Sequence, residues 1–334
     1  MLSRVEKFEV ALKQTECDAV LVTNLKNIYY LTGFSGTEAT VFISKNRRIF
    51  LTDSRYTLIA KGVIKGFDII ETRDALSEIA KIIADDKIKT IGFDDEISYH
   101  SFKTLEELFS DYKLTAMTAF IEKLRMIKDE GEIATIRKAC QISDQAFLDV
   151  LDFIKPGQTT ELQVMNFLDA RMRQLGASGA SFDFIIASGY RSAMPHGVAS
   201  EKVIQTGETL TMDFGCYYNH YVSDMTRTIH VGHVTDEERE IYDIVLRSNQ
   251  ALIEAAKAGM SRIEFDQVPR KVINDAGYGQ YFTHGIGHGI GLDIHEIPYF
   301  GKSSEPIEAG MVLTDEPGIY LDGKYGVRIE DDIL

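Results

Sequence analysis

The sequence has few cysteines, a shortage of basic residues and no long apolar run, and each of these excludes a class of protein. The three cysteines are widely spaced and form no CxxC motif, so they predict a reducing compartment rather than a disulfide framework. Acidic residues outnumber basic ones by 51 to 36, giving a formal net charge of −15. This argues against a nucleic-acid-binding surface, which needs a clustered basic face. No apolar run approaches the roughly eighteen residues that cross a membrane.

The first residues and the length of the chain indicate the class of protein and the number of domains. The first segment, MLSRVEKFEVALKQ, has a charged amphipathic pattern without the apolar segment of a signal peptide. We therefore predict a cytoplasmic globular protein with no nucleic-acid or membrane partner. Its 334 residues exceed the usual size of one domain, so two domains are expected.

Two regions with different patterns indicate where the domains lie. The first alternates strand and helix patterns, which is typical of an α/β domain. Expected strands there are 18–22, 40–52 (a hairpin), 67–71 and 88–93, and expected helices are 2–15, 54–62, 74–85 and 101–110. The second region has helical patterns at 129–154, 160–175, 235–258 and 261–276, with strands within 182–231 and 280–334. We place the domains at 1–120 and 121–334.

Histidines and glycines are concentrated in THGIGHGIGLDIH, residues 283–295. Gly disfavours helix interiors and permits close backbone approach, so we expect an extended strand rather than a helix. With a period of two, His284 and His288 would share one face. These two and His295, crowded where side-chain bulk has been removed, indicate a metal or catalytic site.

The segment ETLTMDFGCYYNHYVSDMTRTIHVG (208–232) contains two aspartates that a hairpin would bring together. If the turn lies at Tyr218-Asn219, where Asn tolerates a left-handed conformation, Asp213 and Asp224 are directly opposite each other. Like charges in that position destabilise a sheet unless a cation lies between them. The pattern therefore favours a metal site over two solvated surface carboxylates.

A second pair of carboxylates lies in MVLTDEPGIYLDGKYGVRIEDD (311–332). Asp322-Gly323 is a turn signal, and a strand–turn–strand arrangement about it places Glu316 nearly opposite Glu330. Pro317 cannot donate a ladder hydrogen bond, so the first strand should end near Glu316. Together with His288, the two hairpins offer five candidate metal ligands.

Charge and ligand type indicate how many metals the site holds, and which. Four ionised carboxylates need two divalent cations for neutrality, since burying an uncompensated charge is very costly. Oxygen-rich ligation with one imidazole favours Mn²⁺ over a structural zinc, and Co²⁺, Fe²⁺ and Zn²⁺ stay open. Two metals roughly 3.5–4 Å apart can lower the pKa of a bridging water and stabilise a tetrahedral intermediate.

These residues resemble, in order and spacing, those of the pita-bread metallopeptidases, the family of aminopeptidase P, prolidase and methionine aminopeptidase. The ligand segments are MDFG, SDMTRT, HGIGHGIGLDIHE, TDEPGIY and GVRIEDD. In the first region, NIYYLTGFSG and LTDSRY resemble the smaller creatinase-type domain of aminopeptidase P and prolidase. The resemblance implies a creatinase-type α/β domain followed by an α+β pita-bread catalytic domain, a curved antiparallel sheet with flanking helices.

Carried over residue by residue, the resemblance implies a set of metal ligands. It places Asp213 on one metal and His288 and Glu316 on the other. Asp224 and Glu330 would bridge both metals. Glu316 is also expected to shuttle the proton of the attacking water to the leaving nitrogen.

The resemblance also assigns residues around the ligands. His196, in SAMPHG, resembles the histidine that contacts the substrate near the scissile bond, and His295 resembles the one that stabilises the tetrahedral intermediate. His284 resembles the additional histidine of proline-specific members. Tyr320 and Arg328 match positions that support the ligands in aminopeptidase P.

Two features depart from the family's pattern. Asp315 lies where relatives usually have an apolar or small residue, which adds negative charge beside the site. Relatives also continue past the last ligand to complete a strand, so we expect the C-terminal end at Leu334 to be truncated.

The activity that the resemblance implies is removal of the N-terminal residue from peptides with proline at the second position, by a homodimer. Methionine aminopeptidases usually lack a domain like residues 1–115, which favours Xaa-Pro specificity. An Xaa-Pro dipeptidase is one alternative, and it would need a cation for the free carboxylate of proline, for which Lys302 and Arg191 are candidates. An inactive or metal-free pita-bread module that only binds peptides is another, but it predicts eroded ligands.

Overall fold

The computed structural model describes residues 2–84, 86–301 and 303–334, and the chain divides into two compact units, Met1–Arg125 and Met126–Leu334. Lys302, one of the two candidates for a carboxylate-binding cation, lies outside the described residues. Within the described ranges, no helix combines the length and the apolar character that a membrane span requires.

The first unit is built on a six-stranded mixed sheet with the order β4-β3-β2-β1-β5-β6. Its strands are β1 Ala19–Val22, β2 Thr40–Ser44, β3 Arg48–Thr52, β4 Asp68–Glu71, β5 Thr90–Phe93 and β6 Lys113–Ala116. Its helices are α1 Arg4–Leu12, α2 Leu25–Thr32, α3 Thr57–Val63, α4 Ala75–Ile83, α5 Tyr99–Leu108 and α6 Phe120–Arg125. β1, β2 and β3 are antiparallel neighbours, whereas β5 and β6 continue the sheet in parallel. The predicted α/β class and the hairpin at 40–52 are confirmed.

The structure adds α2, β6 and α6 to the predicted elements of this unit. α2 begins after Asn24, whose side chain accepts hydrogen bonds from the Lys26 and Asn27 amides, and it ends at Gly33, which has φ 74°. An Asn before the first turn and a Gly after the last are ordinary helix boundaries. The helix is short, and the tyrosines within it have low helix propensity, so tertiary packing rather than local preference stabilises it.

The second unit consists of antiparallel sheets with helices packed against them. Its helices are α7 Glu130–Phe153, α8 Glu161–Gln174, α9 Asp236–Ala255 and α10 Arg262–Asp275, with 3₁₀ turns at Gly189–Ala193 and Gly279–Tyr281. Its strands are β7 Gly179–Ala180, β8 Ile185–Ser188, β9 Thr209–Phe214, β10 Cys216–Tyr218, β11 Tyr221–Val222, β12 Met225–His230, β13 His288–Gly289, β14 Glu296–Tyr299, β15 Leu313–Asp315, β16 Gly318–Leu321, β17 Tyr325–Arg328 and β18 Asp331–Ile333. The sheet orders are β12-β9-β8, β14-β13-β15-β18, β16-β17 and β11-β10-β7.

The helices α7, α8, α9 and α10 each begin with a capping box, which explains why their starts could be predicted. The N-cap residues are Asp129, Thr160, Thr235 and Ser261. Each side chain accepts from the backbone amide three residues later, and the Glu or Gln there accepts from the N-cap amide. Such a cap stabilises a helix by about 1 kcal/mol.

Two buried clusters hold these helices against the sheets. One joins α7 and α8 to β8 and β9 through side chains such as Ile142 and Met212. The other joins α9 and α10 to β15, β16 and β17 through side chains such as Phe265 and Val327. On β9, alternate residues including Met212 belong to the first cluster, so Asp213 projects from the opposite face of the strand.

The predicted strand over 283–295 is wrong for most of its length. Regular strand covers only His288–Gly289, and the register of β13 against β14 shifts between these two residues. The glycines do permit close approach, but to several separate segments. A Cβ on Gly287 would lie 2.3 Å from the Thr314 carbonyl oxygen, and one on Gly289 would lie 2.6 Å from the Ile297 carbonyl oxygen. The segment therefore packs between two neighbouring segments with an irregular backbone, and it does not form the continuous strand that was predicted.

Candidate metal centre

Asp213 lies on β9 and Asp224 immediately precedes the neighbouring strand β12, in a register that corrects the prediction. Asp213 of β9 pairs with Thr226 of β12, not with Asp224. The turn lies at Asn219-His220, where both residues have positive φ, 45° and 72°, as a two-residue type I′ turn requires. A two-residue shift keeps every side chain on its face, so Asp213 and Asp224 are diagonal neighbours on the same face rather than a directly opposed pair.

The two glutamates have the predicted register. β15 pairs with β18 so that Asp315 faces Asp331, and β16 pairs with β17 so that Gly318 faces Arg328. Glu316 and Glu330 therefore occupy opposed positions between the two ladders. β15 ends before Pro317, as expected, because proline has no amide hydrogen to donate.

His288 reaches this cluster from β13. Its amide donates to Thr314 Oγ1 at 3.0 Å, and its Nδ1 lies 3.1 Å from the Gly289 carbonyl oxygen. Because a carbonyl only accepts, Nδ1 carries the proton and Nε2 presents a lone pair. Nε2 lies 3.7 Å from Asp224 Oδ2 and 3.8 Å from Glu316 Oε1. Asp224, His288 and Glu330 each offer one ligand atom within 4.8 Å of the others.

Buried hydrogen bonds fix part of the carboxylate set and leave other atoms without partners. Arg328 Nη2 donates to Asp213 Oδ2 at 2.5 Å, and Thr226 Oγ1 donates to Glu330 Oε2 at 2.6 Å. Thr226 in turn accepts from Arg328 Nε at 3.1 Å. Within the described residues, the buried Asp213 Oδ1 and Asp224 Oδ1 have no hydrogen-bond partner. Buried polar atoms seldom stay unsatisfied, so these oxygens fit ligation of a cation.

The electrostatics of the cluster also fit a cation. Burial raises the pKa of Asp224 and of Glu330 well above their ordinary values, and the neighbouring carboxylates add to the rise. Burial raises the pKa of Glu316 to about 8 and lowers that of His288 to about 4. A divalent cation would reverse the carboxyl shifts, since a nearby opposite charge favours the ionised form. A neutral imidazole is already the form that ligates metal.

Three further histidines lie around the same cavity, which has a volume of about 500 Å³. His196 and His295 are exposed, and His284 is half-buried. The His295 ring meets the His288 ring edge to face, with centroids 4.3 Å apart. The five candidate ligands and these three histidines line this cavity together. The candidate metal ligands and catalytic histidines, which come from four separate segments of the sequence, thus lie around one cavity.

Tyr320 connects His284 to the buried Arg328. Arg328 Nη1 lies 2.9 Å from Tyr320 Oη, which lies 2.8 Å from His284 Nε2. Since a guanidinium only donates, the tyrosine hydroxyl donates onward to Nε2. His284 Nδ1 lies 2.8 Å from the Gly285 carbonyl oxygen, and burial lowers the pKa of this histidine to about 4. The chain of contacts holds His284 neutral and in one orientation.

Other candidates from the sequence lie elsewhere. Arg191 donates to Glu161 Oε2 at 3.0 Å and to the Val198 carbonyl oxygen at 2.6 Å, so its guanidinium is engaged in supporting the 3₁₀ turn and is not among the residues that line the cavity. Sequence reasoning missed Thr226 as the hydroxyl that joins Glu330 to Arg328. The available signal was its position two residues after Asp224 in a segment predicted to be extended, where alternate residues share a face.

Comparison with known proteins finds relatives over nearly the whole chain. The family described as "Metallopeptidase family M24" matches residues 134–334, and "Creatinase/Prolidase N-terminal domain" matches residues 4–127. An Xaa-Pro dipeptidase of Pyrococcus furiosus is 38% identical over 345 aligned residues, which cover 100% of this chain and 95% of that protein.

Solved structures are similar over the same span. The Xaa-Pro dipeptidase from Bacillus anthracis is 44% identical with a TM-score of 0.96, covering 99% of this chain and 94% of that one. The X-Pro aminopeptidase from Thermotoga maritima MSB8 is 40% identical with a TM-score of 0.90, covering 97% of this chain and 94% of that one. Proteins named for both types of Xaa-Pro activity therefore share this fold.

Proposed function

The chain belongs to metallopeptidase family M24, and from that premise we propose that it is a dinuclear metal-dependent peptidase that cleaves the bond before proline. The observation that carries the proposal is the convergence of five ligand-type side chains and three histidines on one cavity of about 500 Å³. Three relatives that are 38%, 44% and 40% identical over nearly the whole chain are named Xaa-Pro dipeptidase or X-Pro aminopeptidase. Small proline-containing peptides are the proposed substrates.

The metals would be held by the five ligands that the sequence indicated. Asp213 would ligate one ion, His288 and Glu316 the other, and Asp224 and Glu330 both. Two divalent ions balance four carboxylates in a site where every carboxyl pKa is raised by burial. An oxygen-rich set with one imidazole favours Mn²⁺, while Co²⁺, Fe²⁺ and Zn²⁺ remain alternatives.

Residues of this chain would carry the proton transfers and hold the reacting groups. Bound divalent ions supply Lewis acidity and a water of lowered pKa. Glu316 would accept the proton of that water and deliver it to the prolyl nitrogen as the bond breaks. His196 and His295 line the cavity and would donate hydrogen bonds to the carbonyl oxygen as it gains charge. His284, fixed by Tyr320, would form a wall beside the proline ring.

Removal of one residue from longer peptides is the activity that we favour over dipeptide cleavage. A dipeptidase needs a cation for the proline carboxylate, and Arg191 is engaged with Glu161. Arg328, which contacts the ligand Asp213, donates to Asp213, Tyr320 and Thr226. Lys302 remains a candidate outside the described residues. We also propose a cytoplasmic homodimer, and native mass measurement of a monomer at working concentration would contradict the dimer.

The test compares an Xaa-Pro dipeptide with an Xaa-Pro-Xaa tripeptide on Mn²⁺-loaded protein, with EDTA and metal re-addition as controls. Tripeptide cleavage that EDTA abolishes and Mn²⁺ restores is the expected result. Cleavage of the dipeptide alone would assign the dipeptidase activity instead, and Lys302→Met would then test the carboxylate contact. Metal binding without cleavage of either peptide would favour a non-catalytic peptide-binding module and would refute the proposal.

A further inference from the structure

A fully buried carboxylate outside the metal-centre cavity accepts five hydrogen bonds. Glu161 is the first residue of α8 and is not among the residues that line the cavity. Its Oε1 accepts from the amide and the hydroxyl of Ser188, at 2.7 and 2.9 Å. Its Oε2 accepts from Arg191 Nε at 3.0 Å and from the amide and the hydroxyl of Ser200, at 3.1 and 2.6 Å. A buried carboxylate is costly without such partners, so these five donors stabilise it there.

The two serines lie at the two ends of one segment, residues 188–200, which we call the His196 loop. Ser188 is the last residue of β8, so one carboxylate holds both ends of the loop. The 3₁₀ turn at its start is also held by Ser192, whose hydroxyl accepts from an amide of β17 at 2.9 Å. The remaining part, 194–199, has three exposed side chains, those of Met194, His196 and Val198. Exposed side chains restrain a backbone weakly, so hydrogen bonds to the backbone have more influence on the position of this part.

One such hydrogen bond fixes His196 relative to the proposed metal ligands. Arg328 Nη1 donates to the Pro195 carbonyl oxygen at 3.1 Å, and Nη2 of the same guanidinium donates to Asp213. The residue before His196 is therefore tied to a ligand side chain through one buried arginine. The His196 side chain itself lines the cavity.

A second arginine holds the backbone on the other side of His196. Arg191 Nη2 donates to the Val198 carbonyl oxygen at 2.6 Å, while its Nε donates to Glu161. A guanidinium is a rigid planar fork, so binding of Nε by the buried carboxylate sets the direction in which Nη2 points. We propose that Glu161 is a positioning residue, which acts through Arg191 and the loop ends to orient His196 toward the substrate. This inference rests on the proposed function, in which His196 donates to the substrate carbonyl oxygen.

The test is a double-mutant cycle between Glu161→Gln and His196→Ala, with kcat for Ala-Pro-Ala on Mn²⁺-loaded protein as the measurement. Effects of residues that act through each other are not additive, whereas those of independent residues add. Gln keeps the length of Glu but has no charge and only one acceptor atom. Arg191→Met repeats the cycle from the partly exposed end of the ion pair, where a substitution disturbs the fold less. Asp149→Asn is the matched control, because it breaks the ion pair between Asp149 and Arg171, which joins α7 and α8 rather than the loop.

We expect Glu161→Gln and Arg191→Met each to lower kcat by about 10- to 100-fold, the effect of a misplacement of about 1 Å. In the His196→Ala background, the same substitutions should change kcat by less than about twofold. Both variants should keep their Mn²⁺ content, and Asp149→Asn should match wild type in kcat. Amide hydrogen exchange of residues 189–199 should be faster in Glu161→Gln than in wild type, because one end-to-end tie of the loop is weakened.

Two results would overturn the inference and leave the proposed function intact. One is an equal loss of kcat in the wild-type and His196→Ala backgrounds, which would mean that Glu161 acts independently of His196. The other is a kcat like that of wild type in both Glu161→Gln and Arg191→Met. No cleavage of Ala-Pro-Ala by wild type would overturn the proposed function and the inference with it.

Discussion

Thr226→Val tests whether the buried hydroxyl behind the ligands orients Glu330. The hydroxyl donates to Glu330 Oε2 at 2.6 Å and accepts from Arg328 Nε at 3.1 Å, and the residue is fully buried. Valine preserves the shape of the side chain and removes both hydrogen bonds. Glu330 would then be free to rotate, and a donor of Arg328 would be left without an acceptor.

The expected magnitude follows from the charge on both partners. A hydrogen bond to a charged group contributes about 1.5–3 kcal/mol to stability. Loss of a group that orients a metal ligand typically lowers metal affinity by about 10- to 100-fold. We therefore expect Thr226→Val to weaken Mn²⁺ binding by about 10- to 100-fold, equivalent to about 1.4–2.7 kcal/mol.

Isothermal titration calorimetry of metal-free protein with Mn²⁺ measures this change directly. Thr211→Val is the matched control, since Thr211 is also buried and its hydroxyl lies 3.1 Å from that of Thr228 rather than at the ligands. The control should lose some stability and keep its metal affinity. If both variants bound Mn²⁺ as wild type does, the assigned role of Thr226 would be refuted.

Three further substitutions test separate parts of the account. His295→Ala should retain both metals and lower kcat by ~10²–10³, as expected for loss of one oxyanion donor. Tyr320→Phe should keep metal affinity and lower kcat by roughly tenfold, because His284 loses the hydrogen bond that orients it. Asp315→Asn should raise the free energy of unfolding near pH 7 by about 1 kcal/mol, because burial raises the pKa of Asp315 to about 9 and its carboxyl group must therefore take up a proton on folding, which Asn does not need.

Each of these three substitutions has its own result that would contradict the expectation. An unchanged kcat in His295→Ala, at full metal occupancy, would remove His295 from the reaction. Loss of metal in Tyr320→Phe would mean that the tyrosine supports the ligands rather than His284 alone. Urea unfolding that shows Asp315→Asn to be less stable than wild type would show that the Asp315 carboxyl group, which accepts a hydrogen bond from Asn249 Nδ2, is stabilising at this position.

The candidate site shows why some geometry follows from sequence and some does not. The register of Glu316 and Glu330 could be predicted because Pro317 ends one strand and Asp322-Gly323 marks a single turn. The register of Asp213 and Asp224 was shifted by two, because Tyr218, Asn219 and His220 offer more than one turn and a positive φ at His220 is rare for a residue other than Gly. A shift of two residues leaves each side chain on the same face of the sheet. The prediction that the two aspartates are neighbours therefore still holds.

The histidine segment was harder, because its conformation depends on distant parts of the chain. Alternating glycines around His288 indicate close packing, but not what packs there. The neighbours are Thr314 and Ile297, and their positions depend on the whole sheet. Long helices with capping boxes were predicted closely. The creatinase-type domain inferred from NIYYLTGFSG and LTDSRY, and the pita-bread domain inferred from the ligand segments, are confirmed by the family matches.

Counting metal ions per chain tests the central claim most directly. Native mass spectrometry of the chain after saturation with Mn²⁺ should show two ions on wild type and at most one on Asp224→Asn, since that residue is assigned to both ions. One ion or none on wild type at saturation, or two retained by Asp224→Asn, would contradict the dinuclear site.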